Sequence, residues 1–185
     1  MTQPSWIGRT LSERYEIQEL LGQGGMSAVY KANDPNLRRV VAIKIIHPHL
    51  SQDPEFVRRF EEEAASVAQL RHPNLIQVYD FNNDGDTYYI VFEFVPGESV
   101  QERLKRMKTA ERPMPVAEVA AIVARSADGL EYAHKKGLIH RDIKPANIML
   151  NVTGDPIIMD FGIAKIMGGT QHTATGAVLG TARYM

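Results

Sequence analysis

His140-Arg141-Asp142-Ile143-Lys144-Pro145-Ala146-Asn147, followed shortly by Asp160-Phe161-Gly162, is the stretch whose reading decides the rest of this sequence. Asp142 can accept a proton from an attacking hydroxyl. Lys144 can neutralise charge on a transferring phosphoryl group. Asn147 and Asp160 offer hard oxygen ligands that suit Mg²⁺, an ion that takes few protein oxygens and shares the rest with phosphates. Any one of these residues alone also reads as part of a polar surface turn. Their weight comes from what precedes them.

Upstream, Gly22-Gln23-Gly24-Gly25-Met26-Ser27-Ala28-Val29 separates two apolar segments. Glycines let backbone N–H groups approach phosphate oxygens with no Cβ in the way. A tight turn is the plainer alternative. No Gly-Lys-Ser/Thr follows, so this is not a Walker loop, and a strand rather than a helix comes next, which excludes a dinucleotide fingerprint. Lys44 lies inside Val40-Val41-Ala42-Ile43-Lys44-Ile45-Ile46. A lysine in so apolar a strand is costly unless its ammonium meets an anion, or unless the strand is an edge from which it snorkels to water. Of Glu61, Glu62 and Glu63, two read as a solvated helix face. Glu63 falls three residues after Phe60 and four before Val67, on the apolar stripe, and Lys44 is its natural partner. His47-Pro48-His49 and His172 carry no such weight: a solvated turn is the better reading without further ligands.

The segments around these motifs sort by periodicity. Tyr15 to Leu21, Ala28 to Ala32 and Val40 to Ile46 read as strands; Ile76 to Phe81 and Thr87 to Val95 form a hairpin across Asn83-Asp84-Gly85-Asp86. Asp53 to Arg71 is an amphipathic helix with Asp53 as N-cap and Pro54 at its first position. Pro96-Gly97 punctuates the chain, and a long helix marked by Val116, Val119, Val123, Ala127, Leu130 and His134 ends at Gly137. Ile148 to Leu150 and Ile157 to Met159 are short apolar pieces about a Thr153-Gly154-Asp155 turn. The expected architecture is α+β: a mostly antiparallel sheet with one helix, then a helical region, in two lobes.

With 185 residues, 44% of them apolar and 23% charged, the chain has the make-up of a globular protein. Its 21 basic and 22 acidic side chains give no reason to expect nucleic acid or a membrane surface as partner. The absence of cysteine excludes disulfides, thiolate metal sites and cysteine nucleophiles, and fits a reducing compartment. Met1 to Arg14 is polar and lacks an apolar signal core, and no run approaches membrane-spanning length.

Taken in order, these motifs resemble the protein-kinase signature, from about Leu11 to Met185, and in particular the bacterial, eukaryotic-like serine/threonine kinases. Arg14-Tyr15-Glu16-Ile17 leading into Leu21-Gly22-Gln23-Gly24-Gly25-Met26-Ser27 carries the closer likeness. The resemblance implies an N-terminal extension over 1–14, a complete kinase N-lobe over 15–95 and part of a helical C-lobe over 96–185. It implies transfer of the ATP γ-phosphoryl to protein Ser/Thr hydroxyls, autophosphorylation included, with Mg²⁺ as cofactor and Mn²⁺ as an alternative. By it, Lys44 holds the α and β phosphates and pairs with Glu63. Asp142 is the base, Lys144 steadies the γ-phosphate, and Asn147 and Asp160 bind the metal. The glycine-rich run Gly22 to Ser27 covers the phosphates. Leu21, Val29, Ala42 and Met149 sandwich the adenine, the backbone of Glu93 and Val95 bonds its edge, and Phe92 is the gatekeeper.

Thr173 and Thr175 resemble an autophosphorylation pair whose phosphate would dock on Arg141. Thr181 resembles the threonine that contacts the base and its lysine, and Thr170 is a further loop threonine. Protein substrates, a homodimer for trans-autophosphorylation, and a cytoplasmic location without nucleic-acid or membrane contact by this segment follow from the same likeness. Two departures stand out. Ser27 replaces the third loop glycine, with Gly25 close by to supply freedom, and the Pro-Glu anchor that follows Gly180-Thr181-Ala182-Arg183-Tyr184-Met185 in the family is absent. The expectation is therefore that this segment alone is marginally stable and poorly active, with part of the helix from Val116 to Lys136 uncovered. A nucleotide-binding pseudokinase or interaction fragment, and a small-molecule phosphotransferase on a related fold, are the rival readings. The former usually loses the lysine, the base or the metal aspartate, and all three stand here; Lys144 and the Thr-bearing segment speak for a protein substrate.

Overall fold

A computed structural model describes residues 6–161, the side chain of Glu63 excepted. Gly162, Thr170, His172, Thr173, Thr175 and Thr181 lie outside the described residues, as does the expected Lys44–Glu63 pairing. The chain forms two compact units, one of residues up to Gln69 with Gln77–Phe94, the other of Leu70–Ile76 with residues from Val95 onward.

In the first unit an antiparallel sheet runs in the order β1-β2-β3-β4-β6-β5, formed by β1 (Thr10–Leu11), β2 (Tyr15–Gln23), β3 (Ser27–Asp34), β4 (Arg39–Ile46), β5 (Val78–Asp84) and β6 (Thr87–Glu93). The β5–β6 turn is tighter than the sequence suggests. Asp84 pairs with Thr87, so only Gly85 and Asp86 make the turn, with Gly85 at φ +57° as such two-residue hairpins require. One face of the sheet carries the core: Tyr15, Ile17, Tyr30, Ala32, Val41, Ile43, Ile45, Tyr89 and Val91, with Trp6 packed against them. At the far end of β3 the buried Asp34 carboxylate accepts from Arg14 Nε at 3.0 Å and Nη2 at 2.7 Å, which draws the N-terminal segment onto the sheet.

A short turn of helix, α1 (Pro48–Ser51), precedes α2 (Pro54–Ala68). Asp53 caps α2 as expected, its side chain accepting from the Glu55 and Phe56 N–H groups. Phe56, Phe60, Ala64 and Val67 form the buried stripe, and Phe60 meets Phe81 of β5 with ring centres 5.6 Å apart. The helix stops at Ala68, short of the expected Arg71, and Leu70 belongs to the second unit.

The second unit holds β7 (Gly97–Ser99), α3 (Val100–Thr109), α4 (Val116–Lys135), β8 (Ile148–Asn151) and β9 (Pro156–Ile158), with a sheet ordered β7-β8-β9. Helix α3 escapes the hydrophobic pattern because only Val100 is buried along it. It is legible instead in its start: Ser99 accepts from the Glu102 N–H while the Glu102 carboxylate accepts from the Ser99 N–H, a capping box. Gly97 lies so near Leu150 that a Cβ there would stand 1.9 Å from the Leu150 carbonyl oxygen. Helix α4 ends on Gly137 at φ +80°, with Gly137 N–H donated to His134 and Leu138 N–H to Ala133. Its buried side is Ile122, Ser126, Gly129 and Ala133, and Gly129 admits the close approach of Asn74 and Leu75. Val116, Val119 and Val123 are exposed on the same helix.

Candidate active site

In the first unit the ladder register sorts the expected binding residues. Val29 pairs with Lys44, Lys44 with Ile90 and Ala42 with Phe92. Directly opposed residues share a sheet face, and so do residues two apart. Val29, Ala42, Lys44 and Phe92 therefore stand together on the face opposite the core. Lys44 is only 8% exposed and sits in a strand paired on both sides. That excludes the edge-strand alternative and leaves a buried ammonium whose surroundings must supply negative charge. Leu21, at the end of β2, is exposed. The Glu93 N–H is donated to the Gln77 carbonyl at 2.9 Å, and its carboxylate accepts from Gln77 N–H at 3.0 Å.

The glycine-rich run spans the β2–β3 hairpin, closed by Gly24 N–H donating to the Ser27 carbonyl at 2.8 Å. Bulges between Ile17 and Glu19 and between Leu20 and Gly22 shift the β2 register as it enters the turn. His47 departs from its reading as part of a solvated turn. It is 5% exposed because its backbone continues the β3–β4 ladder, N–H to the Met26 carbonyl at 3.0 Å, and carries its ring under the hairpin.

In the second unit, Asp142, Lys144 and Asn147 are tied into one cluster. Lys144 Nζ lies 2.9 Å from Asp142 Oδ2, and Asn147 Nδ2 donates to the Asp142 carbonyl at 2.9 Å and to Oδ2 at 3.1 Å. Pro145–Asn147 forms a single 3-10 turn, closed by Asn147 N–H to the Lys144 carbonyl, which folds Asn147 back over Asp142. Asn147 is buried, and with its NH₂ group committed to Asp142 its Oδ1 is directed away from that carboxylate. Arg141 and Asp160, at φ +61° and +50°, both adopt the left-handed conformation that non-glycine residues seldom take.

His140 holds this cluster to the segment after β9 that carries Asp160. Its ring is 1% exposed, donates from Nε2 to the Met159 carbonyl at 2.7 Å, and accepts the Asp142 N–H on Nδ1 at 3.2 Å. The Met159 N–H is donated in turn to the Asn147 carbonyl at 2.8 Å. Phe161 packs on the imidazole with ring centres 4.8 Å apart. Burial pushes the His140 imidazole below the usual histidine range, against the opposing pull of its bond to Met159, so the ring is held neutral. Sequence reasoning gave His140 no role; the signal available was its place beside Arg141-Asp142. Val95 is buried and Met149 half-buried in this unit.

The hard oxygens of Asn147 and Asp160, one amide and one carboxylate, are the donor types that a metal shared with phosphates takes. Among the described residues no cluster of three or more His, Asp or Glu side chains could hold a metal by itself.

The first unit thus carries a buried strand lysine next to a glycine-rich hairpin, and the second a hydrogen-bonded Asp-Lys-Asn cluster with an Asp-Phe pair following it. The chain belongs to the protein kinase domain family, which it matches over residues 15–185. It is 43% identical over 180 residues to the serine/threonine-protein kinase PknB of Mycobacterium leprae, covering 95% of this chain and 28% of that protein. It is 41% identical over 179 residues to the serine/threonine-protein kinase PrkC of Bacillus subtilis, covering 97% of this chain and 27% of that one. The chain thus spans little more than a quarter of the length of these curated relatives. The crystal structure of the Mycobacterium tuberculosis PknI kinase domain superposes with a TM-score of 0.71 at 35% identity, over 85% of this chain and 62% of that one. The α+β kinase fold is therefore shared. The family uses ATP and a divalent metal ion. Among the described residues no helix is long and apolar enough to cross a membrane.

Proposed function

We propose that this chain is the ATP-handling part of a serine/threonine protein kinase that moves the ATP γ-phosphoryl to Ser/Thr hydroxyls of proteins, its own included. The observation that carries the reading is the Asp142–Lys144–Asn147 cluster: a carboxylate, a cation and an amide oxygen ordered by a few short bonds. Asp142 Oδ accepts the proton of the attacking hydroxyl. Lys144, already on that carboxylate, offers positive charge beside the group in transfer. Asn147 Oδ1 and the Asp160 carboxylate hold Mg²⁺, or Mn²⁺ in its place. The metal supplies charge neutralisation at the phosphate oxygens.

Lys44 grips the α and β phosphates, paired with Glu63, and Gly22 to Ser27 cover them. Leu21, Val29, Ala42 and Met149 take the adenine between them, with Phe92 behind. Glu93 can contribute only its carbonyl to the adenine edge, since its N–H is engaged; Val95 contributes its N–H. Thr181 steadies Asp142 and Lys144, and phosphorylation of Thr173 and Thr175 orders the segment that bears them. The two units support a reading of residues 15–95 and 96–185 as lobes, with 70–76 contributed back to the second. Protein substrates, a homodimer for trans-autophosphorylation and a cytoplasmic site of action complete the proposal.

Incorporation of labelled phosphate from ATP into a generic basic protein, with aminoglycosides as rival acceptors, tests it. Lys44→Met and Asp160→Ala should each lower turnover by about a thousandfold or more. Variants as fast as the unaltered protein, or transfer to the aminoglycosides alone, would refute it.

A further inference from the structure

His47 stands outside every role assigned above, yet it is buried and bonded twice to the glycine-rich hairpin. Its N–H is donated to the Met26 carbonyl at 3.0 Å and its ring Nε2 lies 2.9 Å from the Gly24 carbonyl. A carbonyl can only accept, so the ring carries its proton on Nε2 and donates it. As the extended residue before Pro48 it makes no side-chain cap to α1, and its ring stacks on His49 with centres 6.0 Å apart.

We propose that His47 is a positioning residue for phosphate binding, a latch that sets the orientation of two peptide planes in the hairpin. A trans peptide points its carbonyl and its N–H in opposite directions. With the Gly24 carbonyl held by the His47 ring, the Gly25 N–H is aimed to the far side of the turn. With the Met26 carbonyl held by the His47 N–H, the Ser27 N–H is aimed away from β4 as well. Glycine at 24 and 25 lowers the barrier to rotating such planes, so a turn this permissive needs an outside restraint to present its donors in one direction. The bonds come from the residue that directly follows β4, three positions after Lys44, so hairpin and lysine share one support. The inference rests on the proposed nucleotide site and adds the residue that orders its phosphate cover.

The test uses variants that keep the volume of the ring and differ in the donor. His47→Leu removes the N–H, while His47→Gln retains an amide that can donate to Gly24. Affinities for MgATP and for adenosine are measured by titration calorimetry, and KM for ATP and kcat by phosphate transfer. Loss of one buried bond predicts about five- to tenfold weaker MgATP binding in His47→Leu, seen in KM rather than kcat. Adenosine affinity stays within about twofold, and His47→Gln restores most of the loss. Equal losses for MgATP and adenosine, no loss for either, or a failure of folded His47→Gln to restore binding each overturn the latch. Should His47→Leu not fold, ¹⁵N-histidine NMR on the unaltered protein decides: a His47 proton on Nε2 upholds the bond and one on Nδ1 overturns it. If the unaltered protein binds neither MgATP nor adenosine, the site itself has been misread, a result distinct from failure of the latch.

Discussion

Replacing His140 by leucine isolates what the neutral, buried imidazole contributes. Leucine fills most of the ring's space, so the cavity cost is small. Two backbone groups lose their partners: the Met159 carbonyl, bonded at 2.7 Å, and the Asp142 N–H, at 3.2 Å. An unpaired buried group costs about 1–3 kcal/mol, and the half-buried Asp142 end can recover some of this from water. The expected loss is about 2–3 kcal/mol near neutral pH. The pH dependence identifies the source. Burial lowers the folded-state pKa of His140, so below the ordinary histidine pKa of about 6.5 the unfolded chain binds a proton that the folded ring refuses. Stability from this group is complete above that pH and is lost as pH falls through the depressed value. Leucine has no such term, so the gap between the two proteins should narrow on going from about pH 7.5 to about pH 5.5. Urea unfolding followed by far-UV circular dichroism measures the gap, and hydrogen exchange over residues 138–161 measures the same opening locally. A gap below about 0.5 kcal/mol that does not change with pH would refute the reasoning.

Three further outcomes follow from the same geometry. Gly129→Val should cost about 2–3 kcal/mol in thermal unfolding, because a Cβ alone would already meet Leu75 Cδ2 at 3.0 Å and Asn74 Cβ at 3.3 Å. A variant as stable as the parent would mean that α4 and the 74–75 segment can separate freely. Ser99→Ala should lose about 1 kcal/mol and speed amide exchange in the first turn of α3, with little effect on the first unit. Asp34→Ala should cost about 2 kcal/mol at neutral pH, since Arg14 is 30% exposed and can be rehydrated. The hydrogen bond from Arg14 holds the Asp34 carboxyl below its usual range, so its contribution is present above the unfolded carboxylate pKa and is lost as pH falls through the lowered one. The two proteins should converge in acid, and a constant difference down to about pH 2 would exclude the ion pair as the cause.

Local order was legible without any coordinates: which strand carries Lys44, where Asp53 caps a helix, where Gly137 ends one, and how Asp142, Lys144 and Asn147 follow each other. These are set by periodicity, caps and spacing, which act over a few residues. The sequence could not decide whether β4 is an edge, because pairing on both sides depends on β6, some forty residues away in the chain. It missed α3, whose hydrophobic signal is a single buried valine, although the capping box at Ser99 was there to be read. It read His47 as solvent-facing and passed over His140, because a histidine's role is fixed by the carbonyls that fold around it. Only the tertiary structure brings the Gly24 and Met26 carbonyls to one and the Met159 carbonyl to the other, since those bonds join strands and loops that no local pattern links.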